Sequence, residues 1–228
     1  MSAAAAGAWG SSSPATTSQQ VLESLRLALV SGALRPGQRV TQDDVALRLG
    51  VSVAPVREAL RVLEQEGQLV YRPRRGYFVT ELRIEDLEEI YELRRVLEER
   101  AARRALPELD DEALTRVRAA ADECEVAGES GDVARELAAN RRFHFALLER
   151  PDRPHTMRMI RLLWDSTEAY RAIYYNSPEE RRRAGKAHER ILAAVAARDP
   201  DRLVAELDAH RGRALDVLRD VLGASADA

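Results

Sequence analysis

Residues 49–67 read LGVSVAPVREALRVLEQEG, and this stretch decides the fold of the N-terminal part of the chain. Gly50 is suited to end one helix in a left-handed conformation, and Ser52 stands where the N-cap of the next helix belongs. Pro55 falls in the first turn of that helix, where its missing N–H costs little. Apolar residues then recur at helical spacing up to Gly67. The stretch therefore predicts two helices joined by a tight turn.

The segments around this turn predict a winged helix-turn-helix. The helix that Gly50 ends is expected over 42–49, and periodicity and turn residues predict three more elements: a helix over 18–31 and β-like runs over 68–71 and 77–80. Pro73 and Gly76 between the two runs indicate a hairpin with a basic tip. Helices, turn, helix and hairpin in this order are typical of the winged helix-turn-helix fold. We assign it to residues 18–80.

The rest of the chain has helical periodicity throughout. Proline, glycine and aspartate breaks divide it into six predicted helices, over 84–106, 111–128, 132–149, 154–175, 178–198 and 200–222. The fold class is thus mainly α, with a winged helix-turn-helix (a small β-hairpin forms the wing) followed by an all-α six-helix bundle over 81–222. Residues 223–228 are predicted to be a tail. Residues 1–17 are predicted to be a disordered tail or, alternatively, an arm that orders on DNA.

Charge and composition narrow the class of function. The net charge of the 228 residues is −3, but residues 1–80 hold nine arginines against six acids, whereas the remainder holds 26 basic against 32 acidic residues. This asymmetry predicts that only the first part meets a polyanion. No apolar run approaches the roughly 20 residues of a membrane span. Cys124 is the only cysteine, so a disulfide within the chain is excluded and a reducing, cytoplasmic location is expected.

Arginines surround the predicted DNA-reading elements. The N-terminal end of the second helix of a helix-turn-helix faces base edges in the major groove. Arginine suits this position because its planar fork donates two hydrogen bonds at once to guanine or phosphate. Arginines at the hairpin tip are suited to the DNA backbone or the minor groove. The candidate DNA contacts are Ser52, Val53, Ala54, Arg57 and Arg61 in the helix, and Arg72, Arg74 and Arg75 in the wing.

Three of the four histidines lie on apolar faces of three different predicted helices. These are His144, His188 and His210. Any one of them alone would be read as a core histidine. Three together favour a metal site, because unpaired buried imidazoles are costly and imidazole is the commonest ligand for Zn²⁺ and similar ions.

Several ordered motifs in residues 20–80 carry a resemblance to a known family. The runs are SGALRPG at 31–37, LGVS at 49–52, PVREAL at 55–60, LEQEG at 63–67 and RGYFV at 75–79. In this combination the sequence resembles the GntR family of bacterial transcription regulators. The resemblance implies that Ser52, Arg57 and the wing glycine Gly76 contact operator DNA. It also implies a homodimer on a palindromic double-stranded operator.

The sequence departs from the family pattern at two places. Val53 and Ala54 stand where the family usually has arginine and threonine, and Asp43 stands where many relatives have a basic residue. Losing bidentate donors removes discrimination of about 1–3 kcal/mol for each base-pair contact. We therefore expect either a different operator, with a methyl of Val53 or Ala54 on a thymine methyl, or weaker binding that relies on Arg57, Arg61 and the wing.

Residues 84–215 resemble the FCD ligand-binding domain of the FadR subfamily. The matching features are Tyr91-Glu92-Leu93-Arg94 with Glu98, Asn140-x-x-Phe143-His144, His188-Glu189-x-Ile191-Leu192, and the late His210. The resemblance implies a divalent metal ion held by Asn140, His144, His188 and His210. Three nitrogens and one oxygen suit Zn²⁺, Ni²⁺ or Mn²⁺. It also implies that a small organic acid binds at the metal through its carboxylate.

The candidate effector contacts are Tyr91, Arg94, Tyr170, Arg171 and Tyr174. Arg94 is the candidate second anchor for the carboxylate, although a solvated arginine or a pair with Glu98 fits its position equally well. The function that follows is a metal-assisted, metabolite-responsive transcription repressor and not an enzyme. Two alternatives remain open at this point. The metal could be purely structural, or the three histidines could form a catalytic zinc site of a hydrolase.

Overall fold

Capping and turn residues set the boundaries of the N-terminal elements in the computed structural model, which describes residues 16–149 and 152–226. In chain order these elements are α1 Thr17–Val30, β1 Arg39–Val40, α2 Gln42–Leu49, α3 Val53–Gln65, β2 Leu69–Arg72 and β3 Gly76–Val79. Gly50 ends α2 with a φ of 67°, as its position predicts. Ser52 is the N-cap residue of α3, but its side chain makes no capping hydrogen bond. The winged helix-turn-helix is confirmed.

The wing belongs to a three-stranded antiparallel sheet in the order β1-β3-β2. β1 pairs Arg39 with Phe78 and Val40 with Tyr77. A strand of two residues has no alternating pattern, so periodicity did not reveal it. One face of the sheet closes the core formed by α1 and α3, and the hairpin between β2 and β3 projects from it.

The C-terminal part is helical, with one break that was not predicted. Its elements are α4 Ile84–Ala105, a 3₁₀ turn at Leu106–Glu108, α5 Asp111–Ser130, α6 Val133–Leu148, α7 Pro154–Ser166, α8 Glu168–Tyr175, α9 Pro178–Ala196 and α10 Pro200–Ala226. The prediction of one helix over 154–175 is wrong. Thr167 interrupts it, with φ −107° and ψ 5°, and its hydroxyl donates to the carbonyl oxygens of Leu163 and Trp164. Threonine side chains compete for backbone hydrogen bonds in this way.

The chain ends differ in part from the predicted tails. Helix α1 begins at Thr17, where Thr16 and Gln19 form a capping box, while the remainder of the predicted N-terminal tail, 1–15, lies outside the described residues. Helix α10 continues past the predicted end at 222 as far as Ala226, and residues 227–228 are outside the described part. Among the described helices, none has the length and apolar character that a bilayer span requires.

The two parts of the chain are packed against each other. Val30, at the end of α1, is buried in a cluster with Leu137 of α6 and Tyr174 of α8. On the other side of this contact, a Cβ added to Gly67 would lie 3.3 Å from the Cβ of Ser166, at the end of α7. Helix α1 therefore contacts α6 and α8, and the turn after α3 contacts the end of α7.

Candidate metal centre and DNA-binding surface

The structure brings three imidazoles from three helices together. His144 lies on α6, His188 on α9 and His210 on α10. Each offers a ring nitrogen that lies within 4.8 Å of the nitrogens offered by the other two. The ring centroids of the three pairs are 5.1–5.7 Å apart. This is the convergence that the apolar faces of the predicted helices indicated.

Asn140 joins this cluster from one turn earlier on α6. Its Oδ1 lies 3.1 Å from Nε2 of His188. His144 and His188 are both buried, and in each the Nδ1 atom has no hydrogen-bond partner among the described residues. Three imidazoles and one amide oxygen form a donor set that fits a divalent transition metal, and the orphaned nitrogens fit a site that is completed by a bound group.

Burial keeps these imidazoles neutral. It lowers the pKa of His188 to about 4. Burial also lowers the pKa of His144 and of His210 well below the usual value, and the neighbouring histidines and arginines lower each further. Neutral imidazoles have a free lone pair, which is the form that binds a metal.

A small cavity of about 30 Å³ adjoins the histidines. Four of the five predicted effector contacts line it, together with the metal candidates: Tyr91, Arg94, Arg171 and Tyr174 with Asn140, His144 and His210. This volume holds about one water molecule. Tyr170, the fifth predicted contact, is not part of this lining. Its side chain packs with Leu87 and Leu218 on the other side of the helix.

Trp164 lies between the two arginines of this cavity. The guanidinium carbon of Arg94 is 4.2 Å from one ring centroid of the indole, and that of Arg171 is 4.1 Å. Both arginines are buried. Arg94 pairs with Glu98 at 2.8 Å, so the alternative of a solvated Arg94 is wrong and the Glu98 pair is present.

Glu98 collects three donors in the interior. It accepts hydrogen bonds from Arg94 Nε at 2.8 Å, from Trp164 Nε1 at 2.7 Å and from Arg211 Nη2 at 2.8 Å. Sequence reasoning missed Trp164 and Arg211 as members of this site. Trp164 could have been noticed as one of only two tryptophans in the chain.

Arg171 differs from Arg94 because it lacks an acidic partner at hydrogen-bond distance. Both terminal nitrogens, Nη1 and Nη2, are buried and have no hydrogen-bond partner in the described structure. Burial lowers the pKa of Arg171 from its ordinary value, yet guanidinium stays charged in proteins. A buried cation with two free donors therefore faces the same cavity as the histidines.

The predicted DNA contacts occupy the exposed side of the winged helix-turn-helix. Ser52, Ala54, Arg57 and Arg61 are exposed on α3, and the wing arginines are exposed at the hairpin. Val53 is half-buried and packs against the N-terminal core. Asp43, the other departure from the family pattern, is exposed in the first turn of α2.

Two of the three wing arginines lie over one aromatic ring. The guanidinium carbons of Arg72 and Arg75 lie 4.6 and 5.5 Å from the centroid of Phe78. Arg74 and Gly76 have positive φ values of 63° and 89°, as the tight turn between β2 and β3 requires. None of the predicted DNA-contacting arginines forms an ion pair with another described residue, so their charges are free for a polyanion. These arginines are Arg57, Arg61, Arg72, Arg74 and Arg75.

A winged helix-turn-helix with unpaired arginines, attached to a helical domain with a buried polar site, defines a class of protein: a DNA-binding transcription regulator. Comparison with known protein families identifies the family to which the chain belongs. Residues 17–79 match the family of bacterial regulatory proteins called the gntR family, and residues 89–213 match the FCD domain. The chain belongs to the GntR family, in the FadR-type subfamily with a C-terminal FCD domain.

Individual relatives agree with this assignment. The HTH-type transcriptional regulator McbR of Escherichia coli strain K12 is 32% identical over 80% of this chain and 83% of its own length. A solved structure of E. coli McbR/YncC superposes with a TM-score of 0.78 at 29% identity, covering 90% of this chain and 98% of that one. The uncharacterized regulator YdhC of Bacillus subtilis strain 168 is 28% identical over 89% and 91% of the two chains. The HTH-type transcriptional repressor RspR of E. coli strain K12 is 24% identical over 92% of both. The prediction of a regulator and not an enzyme is confirmed.

Proposed function

We propose that this regulator binds a divalent metal through Asn140, His144, His188 and His210, and that a small organic acid bound beside the metal changes its affinity for operator DNA. The observation that carries the proposal is one cavity lined by two kinds of group: His144 and His210 of the histidine cluster and Arg171 with its free guanidinium donors. The metal identity, Zn²⁺, Ni²⁺ or Mn²⁺, follows from the donor set alone.

The chain's own residues support a carboxylate at this place. A divalent ion, when bound, would supply positive charge and free coordination positions for an oxygen ligand. Arg171 adds two parallel N–H donors, the arrangement that matches a carboxylate in a bidentate pair. Its guanidinium is held by Trp164 at 4.1 Å, so little side-chain entropy is lost on binding. Arg94 is already neutralised by Glu98 and is the weaker candidate anchor.

The cavity is so small that binding of an effector requires the helices around it to move. A volume of about 30 Å³ admits a water-sized group but not an organic acid of several carbon atoms. An effector must therefore separate the elements that close the cavity. Tyr174 of α8 and Leu207 of α10 are among its walls, and α8 also contacts α1 of the DNA-binding domain. An effector that favours a displaced α8 would change the position of the winged helices.

The regulator acts, in this proposal, as a cytoplasmic homodimer on a palindromic operator and represses transcription. Two winged helices must match two half-sites at fixed separation, so a small rotation is sufficient to lose one set of contacts. Repression is supported by the relative that is itself a transcriptional repressor. The direct base contacts are assigned to Ser52, Ala54, Arg57 and Arg61, with Val53 contributing a methyl group, and the wing residues Arg72, Arg74, Arg75 and Gly76 hold the backbone.

The experiment combines metal analysis with operator binding. Elemental analysis and native mass spectrometry of the purified full chain should find a bound transition metal and a dimer. Fluorescence anisotropy with a duplex from the protein's own upstream region should then show that acetate, malonate or citrate weakens binding. Arg171→Met should keep the metal and the DNA affinity but lose the response, whereas Arg158→Met, on the exposed side of α7, should retain it.

The alternatives give different results in the same experiment. A structural metal predicts that removing it with a chelator unfolds the helical domain, and that no carboxylate affects DNA binding. A sensor site predicts that the fold persists and the response disappears. Absence of any metal-dependent thermal stabilisation by Zn²⁺, Ni²⁺ or Mn²⁺ would overturn the metal assignment itself.

A further inference from the structure

A second, larger cavity lies between α5 and α9. Its volume is about 600 Å³, within the range of roughly 300–1,000 Å³ that is typical of small-molecule sites. We propose that this α5–α9 cleft binds a small molecule carrying an ammonium or guanidinium group, and that Glu136 at its floor pairs with that cation. The cleft is separate from the cavity beside Arg171, which a different set of residues closes.

The floor of the cleft contains a carboxylate that lacks a satisfactory partner. Glu136 of α6 is 3% exposed, and its Oε2 has no hydrogen-bond partner within the described chain. The nearest cation is Arg181, whose Nε lies 3.8 Å from Oε2, which is too long for a hydrogen bond. A buried carboxylate without donors is costly unless something else supplies them. A cationic nitrogen in the cleft would do so.

The titration of Glu136 agrees with this reading. Burial raises the pKa of its carboxyl group to about 7, against the lowering effect of Arg181. The lining beside Glu136 also includes three small uncharged residues, Ala121, Cys124 and Ala184, and the side chain of His188. None of the three small residues offers a competing ion pair.

Two glycines keep the cleft open. A Cβ on Gly128 of α5 would lie 3.2 Å from Oε1 of Glu136, so this glycine lets the carboxylate reach the surface of α5. On the facing helix, a Cβ on Gly185 would meet no atom within 4 Å. Glycine inside a helix costs about 1 kcal/mol relative to alanine, and here both glycines leave space in the cleft.

The two rims of the cleft carry opposite charges. Asp122, Glu125 and Glu129 stand on α5, whereas Arg181, Arg182 and Lys186 stand on α9, with Glu189 further along. Over the described residues no ion pair joins the two rims. A ligand with both a cationic and an anionic end would therefore find a complementary partner for each end, with the cation directed to Glu136. We expect a compound of this polarity, such as an amino acid, to bind better than a simple amine.

Calorimetric titration of the full-length protein at about pH 7.5, above the raised pKa of Glu136, tests the proposal with n-butylammonium, agmatine and L-arginine as probes. Neutral 1-butanol and anionic butyrate serve as controls. Saturable binding of one cation per chain is expected, with no binding of either control. Glu136→Gln should weaken it by at least about tenfold, whereas Glu129→Gln on the exposed rim should weaken it by less than about threefold.

A second pair of variants tests the location without touching any charge. Gly185→Phe should fill the cleft and abolish binding, because its side chain enters open space and leaves the helix intact. Gly212→Phe places the same side chain on α10, where a Cβ also meets no atom within 4 Å, and should bind like the wild type. Circular dichroism and operator binding of both variants should be unchanged.

Three results would overturn the proposal. They are equal cation binding by wild type and Gly185→Phe, tighter binding of butyrate than of butylammonium, and a shift of Gly185→Phe from dimer to monomer in sedimentation, which would make the cleft an interface between two copies. None of these readouts depends on metal content or on the response to organic acids. The α5–α9 cleft and the proposed sensor site can therefore fail separately.

Discussion

The hydroxyl of Tyr170 accepts a hydrogen bond of 2.6 Å from the backbone N–H of Leu82. Leu82 lies in the short connection between the wing and α4, so this bond joins the connection to helix α8. The next residue, Arg171, faces the cavity beside the histidines. Two adjacent residues of an eight-residue helix thus reach the cavity beside the histidines on one side and the connection that leaves the DNA-binding domain on the other.

Helix α8 is a separate element, bounded by a break at each end. The break at Thr167 separates it from α7, and Ser177 with Pro178 starts α9 soon after its end. Val30 of α1 packs in the same cluster as Ala172 and Tyr174. A displacement of α8 would therefore be felt at two points of the DNA-binding domain, its first helix and its exit.

Replacing Tyr170 with phenylalanine tests this connection. Tyr170→Phe removes two hydrogen bonds with the backbone of Leu82, one accepted from its N–H at 2.6 Å and one donated to its carbonyl oxygen at 3.4 Å, each worth about 1 kcal/mol or less. It leaves the ring packed with Leu87 and Leu218. We expect the metal content and the affinity for operator DNA without effector to stay within about twofold of the wild type, and the change caused by an organic acid to shrink. Anisotropy titrations with and without the acid measure both. An unchanged response to the acid would show that the hydrogen bonds between Tyr170 and Leu82 do not connect the cavity to the DNA-binding domain.

Removing an imidazole tests the metal centre by its stability. A metal that binds only the folded state increases the free energy of unfolding, by about 2.7 kcal/mol when its concentration is 100 times the dissociation constant. The unfolding temperature rises accordingly. We expect Zn²⁺ or Ni²⁺ to stabilise the wild type and to have little effect on His188→Ala. His155→Ala is the matched control, because His155 is exposed at the start of α7. Equal stabilisation of all three proteins would place the metal elsewhere.

The Glu98 network predicts how stability depends on pH. Burial opposes ionisation of this carboxyl group, but Arg94 and Arg211 outweigh burial and lower its pKa from 4.5 to about 2. A lowered pKa in the folded state gives a stability contribution that is complete above pH 4.5 and is lost as the pH falls from there toward 2. Urea unfolding across this window should show a steeper decline for the wild type than for Glu98→Gln. At pH 7 the variant should be less stable by about 3–5 kcal/mol, since two buried arginines lose their counter-charge.

The single cysteine should react slowly. Burial, together with the nearby charge of Glu136, raises the pKa of the Cys124 thiol to about 12. The thiolate is the reactive form, so alkylation by iodoacetamide at about pH 8 should be far slower than for a free thiol with a pKa of about 8.5. Mass spectrometry of timed samples measures the rate, with urea-unfolded protein as the reference. Rapid modification of the folded chain would mean that the folded structure does not hold the thiol in its protonated form.

The sequence predicted the parts of the site that obey helical periodicity. His144, His188 and His210 lie on apolar stripes, so their burial and convergence follow from helix packing. The break at Thr167 was missed because it contains neither proline nor glycine, and the fold there depends on one threonine hydroxyl. The role of Trp164 was also missed, because an indole between two arginines results from contacts among α4, α7 and α8 that no local pattern encodes.

The same limit applies to Glu136. In the sequence, Glu136 cannot be distinguished from the solvent-exposed glutamates that amphipathic helices usually carry. Its burial depends on the absence of a side chain at Gly128, which lies eight residues earlier and on a different helix. Only the folded chain shows that these two positions meet.

The DNA-binding surface gives the last prediction, which separates base contacts from backbone contacts. Arg57→Ala at the exposed start of α3 should lower operator affinity by about 1–3 kcal/mol and reduce discrimination against altered operators. Arg74→Ala at the wing tip should weaken binding to all duplexes alike and reduce the slope of affinity against salt by about 1. Arg118→Ala is the control, because Arg118 is exposed on α5, far along the chain from the winged helix-turn-helix. It should change neither the operator affinity nor the salt dependence. Anisotropy at several salt concentrations, with operator and scrambled duplexes, distinguishes these cases. If Arg57→Ala weakened both duplexes equally, Arg57 would be a backbone contact, and specificity would then have to come from Val53, Ala54 and the shape of the DNA.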